Sequence, residues 1–227
     1  MEQPVRVESS ATDPRQSSGN GTGRDRSLTS AQSSPLGRAT LGDQLRRHAQ
    51  SRAAKAAIVS YAPDGGRTVT TYGELDRGAN KAAHMLLGLG VSRGDRVAVM
   101  ARNRVESVIA YYGALKIGAA YSGINVLFGA GEVAQQLAHL EPAAVVVAAE
   151  FLPVLQTALA DSENPPEIVV VDGTEATSTH VAGYHDFDRL LRSSPDTEPE
   201  CDVDELDLAM IVYTSGTEAA PKGVMLP

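Results

Sequence analysis

The sequence predicts an α/β fold with a mostly parallel sheet and helices on both faces. Short apolar segments alternate along the chain with segments of helical periodicity, which is the pattern of successive βαβ units. The segment 143–148 is apolar at almost every position, as strands are when both faces of a parallel sheet are covered. A chain of 227 residues is long enough for one sizeable core or two small ones.

A helix and a β-hairpin are predicted at the start of the ordered region. Thr40 and Asp43 are typical of a helix N-cap and an acidic first turn, and Leu45 lies on the apolar face of this helix. Leu41 and His48 are placed on the same face. A hairpin is predicted next, because two strand-like segments flank a turn rich in Pro, Asp and Gly. The segments are 58–61 and 67–70, and the turn is 63–66.

The remaining elements alternate between helix and strand. Thr71 and Glu74 form a capping-box sequence, so a helix begins there, and its apolar face is predicted to carry Leu75, Ala79, Ala82, Ala83, Leu86 and Leu87. The predicted strands are 96–100, 118–121, 143–148, 168–171 and 208–213, and the further helices are 105–117, 132–140, 151–160 and 187–191. The acidic segment 193–207 is predicted to be an exposed connection and not a binding surface.

Composition and charge disfavour several classes of protein. The formal net charge is -8 and aromatic residues make up 4%, so neither a basic face nor a base-stacking platform for nucleic acid is predicted. The one cysteine, Cys201, excludes an intrachain disulfide, and its acidic neighbours are expected to raise its thiol pKa. No apolar run reaches the roughly 18 to 20 residues of a membrane span, and the N-terminus has no secretory signal. A cytoplasmic protein is therefore predicted.

Two regions are predicted along the chain. Residues 1–38 are rich in Ser, Gly, Thr, Arg and Gln and hold few large apolar side chains, so a disordered leader is expected. An arginine-rich transit peptide is the alternative, and Glu2, Glu8, Asp13 and Asp25 count against it. Residues 39–227 are predicted to form the α/β domain. Its five histidines are scattered and have no metal-ligand spacing, so surface positions are expected for them.

The segment 211–224 has the composition of a phosphate-binding loop. An apolar strand runs into small hydroxyl residues and glycine, and a lysine follows. Such a loop lets backbone N–H groups approach phosphate oxygens, while the hydroxyls add donors and the lysine adds charge. Its place after a strand is where ligands bind in open α/β sheets. The alternative is a polar turn between two strands that happens to carry a surface lysine. The candidate binding residues are Thr214, Ser215, Gly216, Thr217 and Lys222.

This segment resembles the phosphate-binding signature of the adenylate-forming enzyme superfamily, which includes acyl-CoA synthetases, peptide-synthetase adenylation domains and firefly-type luciferases. It matches the family pattern at Tyr213, Thr214, Ser215, Gly216, Thr217, Pro221, Lys222 and Gly223. It departs at Glu218, where the family usually has Thr, and at Ala219, where the family usually has Gly. Upstream segments, from 71–75 through 94–98 and 118–119 to Asn125, are also similar to the family. The resemblance covers about Thr40 to Pro227.

The resemblance implies a partial N-terminal domain of an acyl-CoA synthetase, with a fatty acid as the favoured substrate. Such an enzyme uses ATP with Mg²⁺ to form an acyl-adenylate and then transfers the acyl group to CoA. By the same resemblance, Thr214, Ser215, Gly216, Thr217 and Lys222 hold the β- and γ-phosphates of ATP. No catalytic and no metal-binding residue is predicted in this chain, because the family's adenylation lysine and magnesium-binding glutamate lie in later segments.

Several alternatives stay open at this stage. The chain is expected to be truncated after its loop and inactive alone, either as an interrupted product or as half of a split protein completed by another chain. An aryl-acid ligase or a peptide-synthetase adenylation domain has the same chemistry. A degenerate, non-catalytic remnant that binds a nucleotide or a partner chain is the alternative of another class. A nicotinamide-dependent oxidoreductase is disfavoured, because Gly88 and Gly90 follow a helix and not a strand.

Overall fold

A computed structural model of the chain describes residues 40–61, 65–172, 184–214 and 222–227. The helices in these ranges are α1 (Leu41–Arg52), α2 (Tyr72–Gly88), α3 (Val105–Lys116), α4 (Ala130–Leu140), α5 (Leu152–Ala158) and α6 (Phe187–Ser193). The strands are β1 (Ala56–Tyr61), β2 (Arg67–Thr71), β3 (Arg96–Met100), β4 (Ala120–Gly123), β5 (Ala144–Ala148), β6 (Glu167–Val171), β7 (Tyr184–Asp186), β8 (Met210–Thr214) and β9 (Lys222–Leu226).

The main sheet has seven strands in the order β7-β6-β5-β3-β4-β8-β9. All neighbouring strands in it are parallel except β8 and β9, which are antiparallel. Strands β1 and β2 form a separate antiparallel pair, as the hairpin sequence predicts. The predicted fold class, a mostly parallel sheet within an α/β domain, is therefore confirmed.

Helices cover both faces of the sheet because its central strands are apolar on both sides. Val97 and Val99 of β3 pack in one buried cluster with residues of α2, α3 and α6. Ala98 and Met100, which point to the opposite face, pack with residues of α4 and α5. A smaller cluster joins α1 to α2 and contains Leu45. The two larger clusters account for the runs of apolar residues that predicted buried strands.

The second helix begins where its capping box predicts. The Thr71 backbone N–H donates to Glu74 Oε2 at 2.8 Å, and Thr71 Oγ1 accepts from the Glu74 backbone N–H at 3.3 Å. The Thr71 hydroxyl also donates to Glu74 Oε2 at 2.8 Å, and the two hydrogen bonds that the carboxylate accepts, first from the Thr71 backbone N–H and then from this hydroxyl, lower the pKa of Glu74. Further along, α2 packs closely on α3 at Gly113, where a Cβ atom would lie 2.6 Å from the Cβ atom of Ala82. Glycine is required there because the two helices approach so closely.

Some sequence predictions about the elements are wrong. Two strands, β7 and β9, were not predicted, and β4 begins at Ala120 because Gly118 adopts a left-handed φ of +71°. Leu41 and Leu87 are 37% and 38% exposed, although both were placed on apolar helix faces. The pKa of the Cys201 thiol is raised, as predicted, but the cause is burial. The predicted turn residues Pro63 and Asp64 lie outside the described residues.

The acidic segment 193–207 connects α6 to β8, as predicted, but it is also docked on the helices. The side-chain amide of Asn80 donates to the Asp196 carbonyl at 2.9 Å, and the His84 ring lies 3.0 Å from the Thr197 carbonyl oxygen. The following Glu198 pairs with a buried lysine of α3 at 2.7 Å. This connection is therefore held on the α2–α3 side of the sheet at several points.

Candidate phosphate-binding site

The predicted loop joins the end of β8 to the start of β9. Thr214 is the last residue of β8 and Lys222 is the first of β9, and the two are paired across the antiparallel ladder. Both side chains are exposed. The residues between them, including Ser215, Gly216 and Thr217, lie outside the described residues, so their roles remain predictions. The structure thus brings two of the five candidate residues together at the base of the loop.

The position of this base agrees with the general rule for ligand sites in α/β sheets. Strand β8 runs parallel to β4, and Thr214 stands at its carboxyl end. The carboxyl ends of parallel strands form the edge at which ligands bind in such sheets. The Lys222 side chain is exposed at this edge, and none of the ion pairs between described residues involves it.

Strand β8 is held to the sheet by few main-chain contacts on the side of the loop. Its pairing with β4 is confined to the Tyr121–Met210 position. One residue further on, Ser122 is fully buried and donates from Oγ to the Ile211 carbonyl at 2.9 Å. A side-chain hydroxyl therefore replaces a ladder hydrogen bond where β8 departs from β4.

Tyr213 and Gly223 form the cross-strand pair directly beneath the base of the loop. A Cβ atom on Gly223 would lie 2.9 Å from Ile211 Cγ2 and 3.5 Å from Tyr213 Cζ. Glycine at this signature position therefore makes room for the Ile211 side chain, and the Tyr213 ring lies at ordinary contact distance beside it. The Tyr213 hydroxyl oxygen is 2.7 Å from His139 Nδ1 of α4, and burial raises the pKa of Tyr213.

Two arginines that follow β3 lie in the same strand-end region and are neutralised by carboxylates. Arg102 pairs with Glu150 at 3.2 Å. Arg104 pairs with Glu106 at 2.8 Å and with Asp172 at 2.5 Å. The hydrogen bond with Asp172 is the main cause that raises the pKa of Arg104, and the same bond lowers the pKa of Asp172. These arginines are engaged in structural pairs with described carboxylates, whereas Lys222 forms no ion pair with a described residue.

A metal centre built from protein side chains is not found in residues 40–61, 65–172, 184–214 and 222–227. In these ranges, no three side chains of His, Cys, Asp or Glu lie close enough together to hold a metal ion. The histidines described there make other contacts: His185, for example, lies 2.7 Å from Glu167. No helix in the part of the chain that the structure describes has the length and apolar character needed to cross a membrane.

Comparison with known proteins identifies the family. The AMP-binding enzyme family matches residues 45–227, so the chain belongs to this family, and the resemblance seen in the signature segment is confirmed. A medium/long-chain-fatty-acid–CoA/3-oxocholest-4-en-26-oate–CoA ligase of Mycobacterium marinum is 35% identical over 162 residues, which cover 68% of this chain and 29% of the relative. The long-chain-fatty-acid–CoA ligase FadD13 of Mycobacterium tuberculosis is 34% identical over 155 residues, which also cover 68% of this chain and 29% of the relative.

Relatives with other substrates and solved structures extend this result. A 3-hydroxybenzoate–CoA/4-hydroxybenzoate–CoA ligase of Thauera aromatica is 34% identical over 155 residues, again 68% of this chain and 29% of the relative. The anthranilate CoA ligase AuaEII, solved with anthranoyl-AMP, aligns with a TM-score of 0.73 and 28% identity over 82% of this chain and 34% of its own. The N-terminal domain of FACL13 from Mycobacterium tuberculosis aligns with a TM-score of 0.66 and 31% identity, and the alignment covers 82% of this chain and 44% of the FACL13 chain.

These comparisons confirm the predicted fold as that of the N-terminal domains of adenylate-forming enzymes. The chain spans about 29% of the length of the curated relatives it matches. The names of those relatives therefore describe considerably longer proteins.

No pattern in the sequence predicts that Ser122 and His139 contact the strand that leads into the loop. Ser122 and His139 both hold β8, yet they lie 89 and 74 positions away from Ile211 and Tyr213, the residues they contact. The sequence places His139 only on a helix surface. Contacts over such separations depend on the order of the strands, which local patterns do not specify.

Proposed function

We propose that this chain binds ATP through the β8–β9 loop as part of an ATP-dependent, AMP-forming carboxylate–CoA ligase. The observation that carries the proposal is the pairing of Thr214 with Lys222 at the carboxyl end of a parallel strand. This arrangement offers a hydroxyl, and a cation that forms no ion pair with a described residue, at the base of a loop suited to polyphosphate. Ser215, Gly216 and Thr217 are proposed to add donors from the loop itself.

The proposed reaction has two steps. The carboxylate of the acid attacks the α-phosphorus of ATP, pyrophosphate leaves, and an acyl-adenylate forms. The thiol of CoA then attacks the acyl carbonyl, and AMP leaves. Mg²⁺ accompanies ATP and offsets part of the triphosphate charge. In the first step, Thr214 and Lys222 would hold the β- and γ-phosphates, where negative charge builds up as pyrophosphate departs. No residue of this chain is proposed as catalytic.

A fatty acid is the proposed substrate class, and a cytoplasmic location is proposed with it. The mycobacterial relatives, whose names specify fatty acids, support a fatty acid as the substrate class. An aryl acid is the second choice, supported by the hydroxybenzoate ligase and by the anthranilate ligase structure. Because the chain spans 29% of the length of the relatives, we propose that it binds ATP but does not complete the reaction by itself.

Binding of ATP is tested by titrating magnesium-ATP into the full chain in a calorimeter. Saturable binding is expected, and Lys222→Ala should weaken it about tenfold or more, the effect of losing one charge-assisted hydrogen bond. Lys55→Ala is the matched control, since Lys55 is an exposed lysine far from the loop in sequence, and it should bind like the wild type. Absence of binding to the folded wild type, or unchanged binding by Lys222→Ala, would refute the proposal.

Adenylation is tested separately by exchange of labelled pyrophosphate into ATP. The full chain is incubated with ATP, Mg²⁺ and either dodecanoate or 4-hydroxybenzoate. No exchange is expected, because the chain is proposed to be inactive alone. Exchange with either acid would overturn that part of the proposal, and the acid that supports it would identify the substrate class.

The non-catalytic remnant is the second candidate, and Glu218 and Ala219 are the observations that favour it. If these residues have degraded the loop, restoring the family pattern in the double variant Glu218→Thr/Ala219→Gly should tighten magnesium-ATP binding about tenfold or more. If the loop is a working variant of the signature, the affinity should change by no more than about threefold. The calorimetric titration decides between the two candidates.

A further inference from the structure

The end of β8 that enters the loop depends on side chains for its position. Main-chain pairing between β8 and β4 is confined to Tyr121–Met210, and the Ser122 hydroxyl reaches only as far as the Ile211 carbonyl. Strand β9 pairs with β8 along its whole length. Among the described residues, no main-chain pairing with β4 therefore holds the last residues of β8 before the loop, and side-chain contacts are what link them to the rest of the domain.

Helix α4 supplies that contact through His139. Its Nδ1 atom lies 2.7 Å from the Tyr213 hydroxyl oxygen, and the two rings meet edge to face with centroids 5.6 Å apart. Either the hydroxyl donates to Nδ1 or Nδ1–H donates to the hydroxyl oxygen, according to the tautomer. The edge-to-face arrangement is the favourable one for aromatic rings. Tyr213 immediately precedes Thr214, so this contact is made one residue before the proposed phosphate-binding residues.

Helix α4 is itself firmly attached to the sheet. The Gln136 side chain is 1% exposed, and its amide donates to the Gly123 carbonyl at the end of β4 at 3.0 Å. At the C-terminal end of the helix, the Arg96 guanidinium donates to the carbonyls of Leu140 and Glu141 at 2.9 Å and 2.6 Å. His139 therefore projects from a helix that is tied to both β3 and β4.

We propose that His139 is a positioning residue that fixes the base of the phosphate-binding loop by holding Tyr213. The Tyr213 ring lies against Gly223, the residue after Lys222, so one hydrogen bond restrains both strands beneath the loop. The inference rests on the proposed ATP-binding function only for its effect on ligand affinity. The restraint on the two strands is a property of the fold and can be measured without any ligand.

Amide hydrogen exchange of the full chain, without ligand, tests the restraint directly. His139→Phe keeps an aromatic ring and removes the hydrogen bond, and Tyr213→Phe removes only the hydroxyl. Each should raise exchange rates in 210–214 and 222–226 by about three- to tenfold, the factor expected for one hydrogen bond. The double variant should exchange no faster than the single variants, because both remove the same contact. His84→Phe, which removes another hydrogen-bonded helix histidine, should leave these strands unchanged.

Rescue by a conservative variant separates positioning from general packing. The side-chain amide of His139→Gln can still hydrogen-bond to the Tyr213 hydroxyl, although the ring is lost. The exchange rates of this variant should therefore lie closer to the wild-type rates than those of His139→Phe. If ring packing and not the hydrogen bond restrained the strands, His139→Gln would exchange faster than His139→Phe. In the magnesium-ATP titration, His139→Phe should weaken binding by about three- to tenfold, and His139→Gln should weaken it less. Exchange rates that do not change in His139→Phe and Tyr213→Phe, or that add in the double variant, would overturn the inference.

The two proposals fail in different ways. If the folded wild type does not bind magnesium-ATP, the proposed function fails, while the exchange measurement still decides whether His139 restrains the strands. If ATP binds and depends on Lys222 but His139→Phe changes neither exchange nor affinity, the function stands and the positioning role is wrong.

Discussion

Lys116 provides the sharpest test of how this domain is held together. Its side chain is 1% exposed at the end of α3. The ammonium lies 2.9 Å from Asp76 Oδ1 of α2 and 2.7 Å from Glu198 Oε2 of the docked acidic segment. The contact with Asp76 is an ion pair without hydrogen-bond geometry, whereas Glu198 accepts a hydrogen bond. One buried cation therefore joins two helices and a connection.

Replacing Lys116 with Met keeps a side chain of similar length and removes the charge. Breaking a buried ion pair typically lowers the free energy of unfolding by about 3–5 kcal/mol, because the partner charges are left uncompensated. The lower value, about 3 kcal/mol, is expected here, because the Glu198 side chain is 35% exposed and can turn toward water. In a domain of this size, each kcal/mol shifts the melting temperature by about 2–4 °C, so Lys116→Met should melt about 6–12 °C below the wild type.

The assay is urea and thermal unfolding followed by circular dichroism. Arg102→Met is the matched control, since it breaks an ion pair whose Arg102 and Glu150 side chains are 65% and 50% exposed. Loss of this exposed pair should lower the free energy of unfolding by no more than about 1 kcal/mol. Adding Asp76→Leu to Lys116→Met should recover part of the lost stability, because an apolar replacement of both partners removes the unpaired carboxylate. If Lys116→Met is as stable as Arg102→Met, the assignment of Lys116 as a structural tie is wrong.

Two further predictions concern helix packing and acid stability. Gly113→Ala should lower the free energy of unfolding by about 1–3 kcal/mol in urea, because its Cβ atom would meet Ala82 at 2.6 Å. Gly88→Ala is the control, because no neighbouring atom lies within 4 Å of its added Cβ, and it should not lower the free energy of unfolding. Equal losses of stability in the two variants would contradict this packing. Because Arg104 lowers the Asp172 pKa, this pair stabilises the fold above the unfolded pKa of about 3.9 and is lost as pH falls through the folded pKa. Asp172→Asn should therefore be less stable near neutral pH and match the wild type in acid, and a difference that persists in acid would refute this.

The sequence alone determined the features that depend on neighbouring residues. The capping box of Thr71 and Glu74, the hairpin of β1 and β2 and the alternation of strands with helices follow from local patterns, and the structure confirms each of them. The signature segment, with Lys222 after Pro221, was sufficient to indicate the family. Such features are specified by turn chemistry and periodicity within a few residues, so a single sequence contains them.

Tertiary structure decided the order of the strands and the contacts that depend on it. Strand β8 lies beside β4, although β5, β6 and β7 come between them in the chain, and that order brings His139 to Tyr213 and Ser122 to Ile211. It also explains why Lys116, a helix residue with no unusual local context, is buried between Asp76 and Glu198. Hydrogen bonds and ion pairs between distant segments form only when the apolar faces of sheet and helices have packed, so no local pattern of residues contains them.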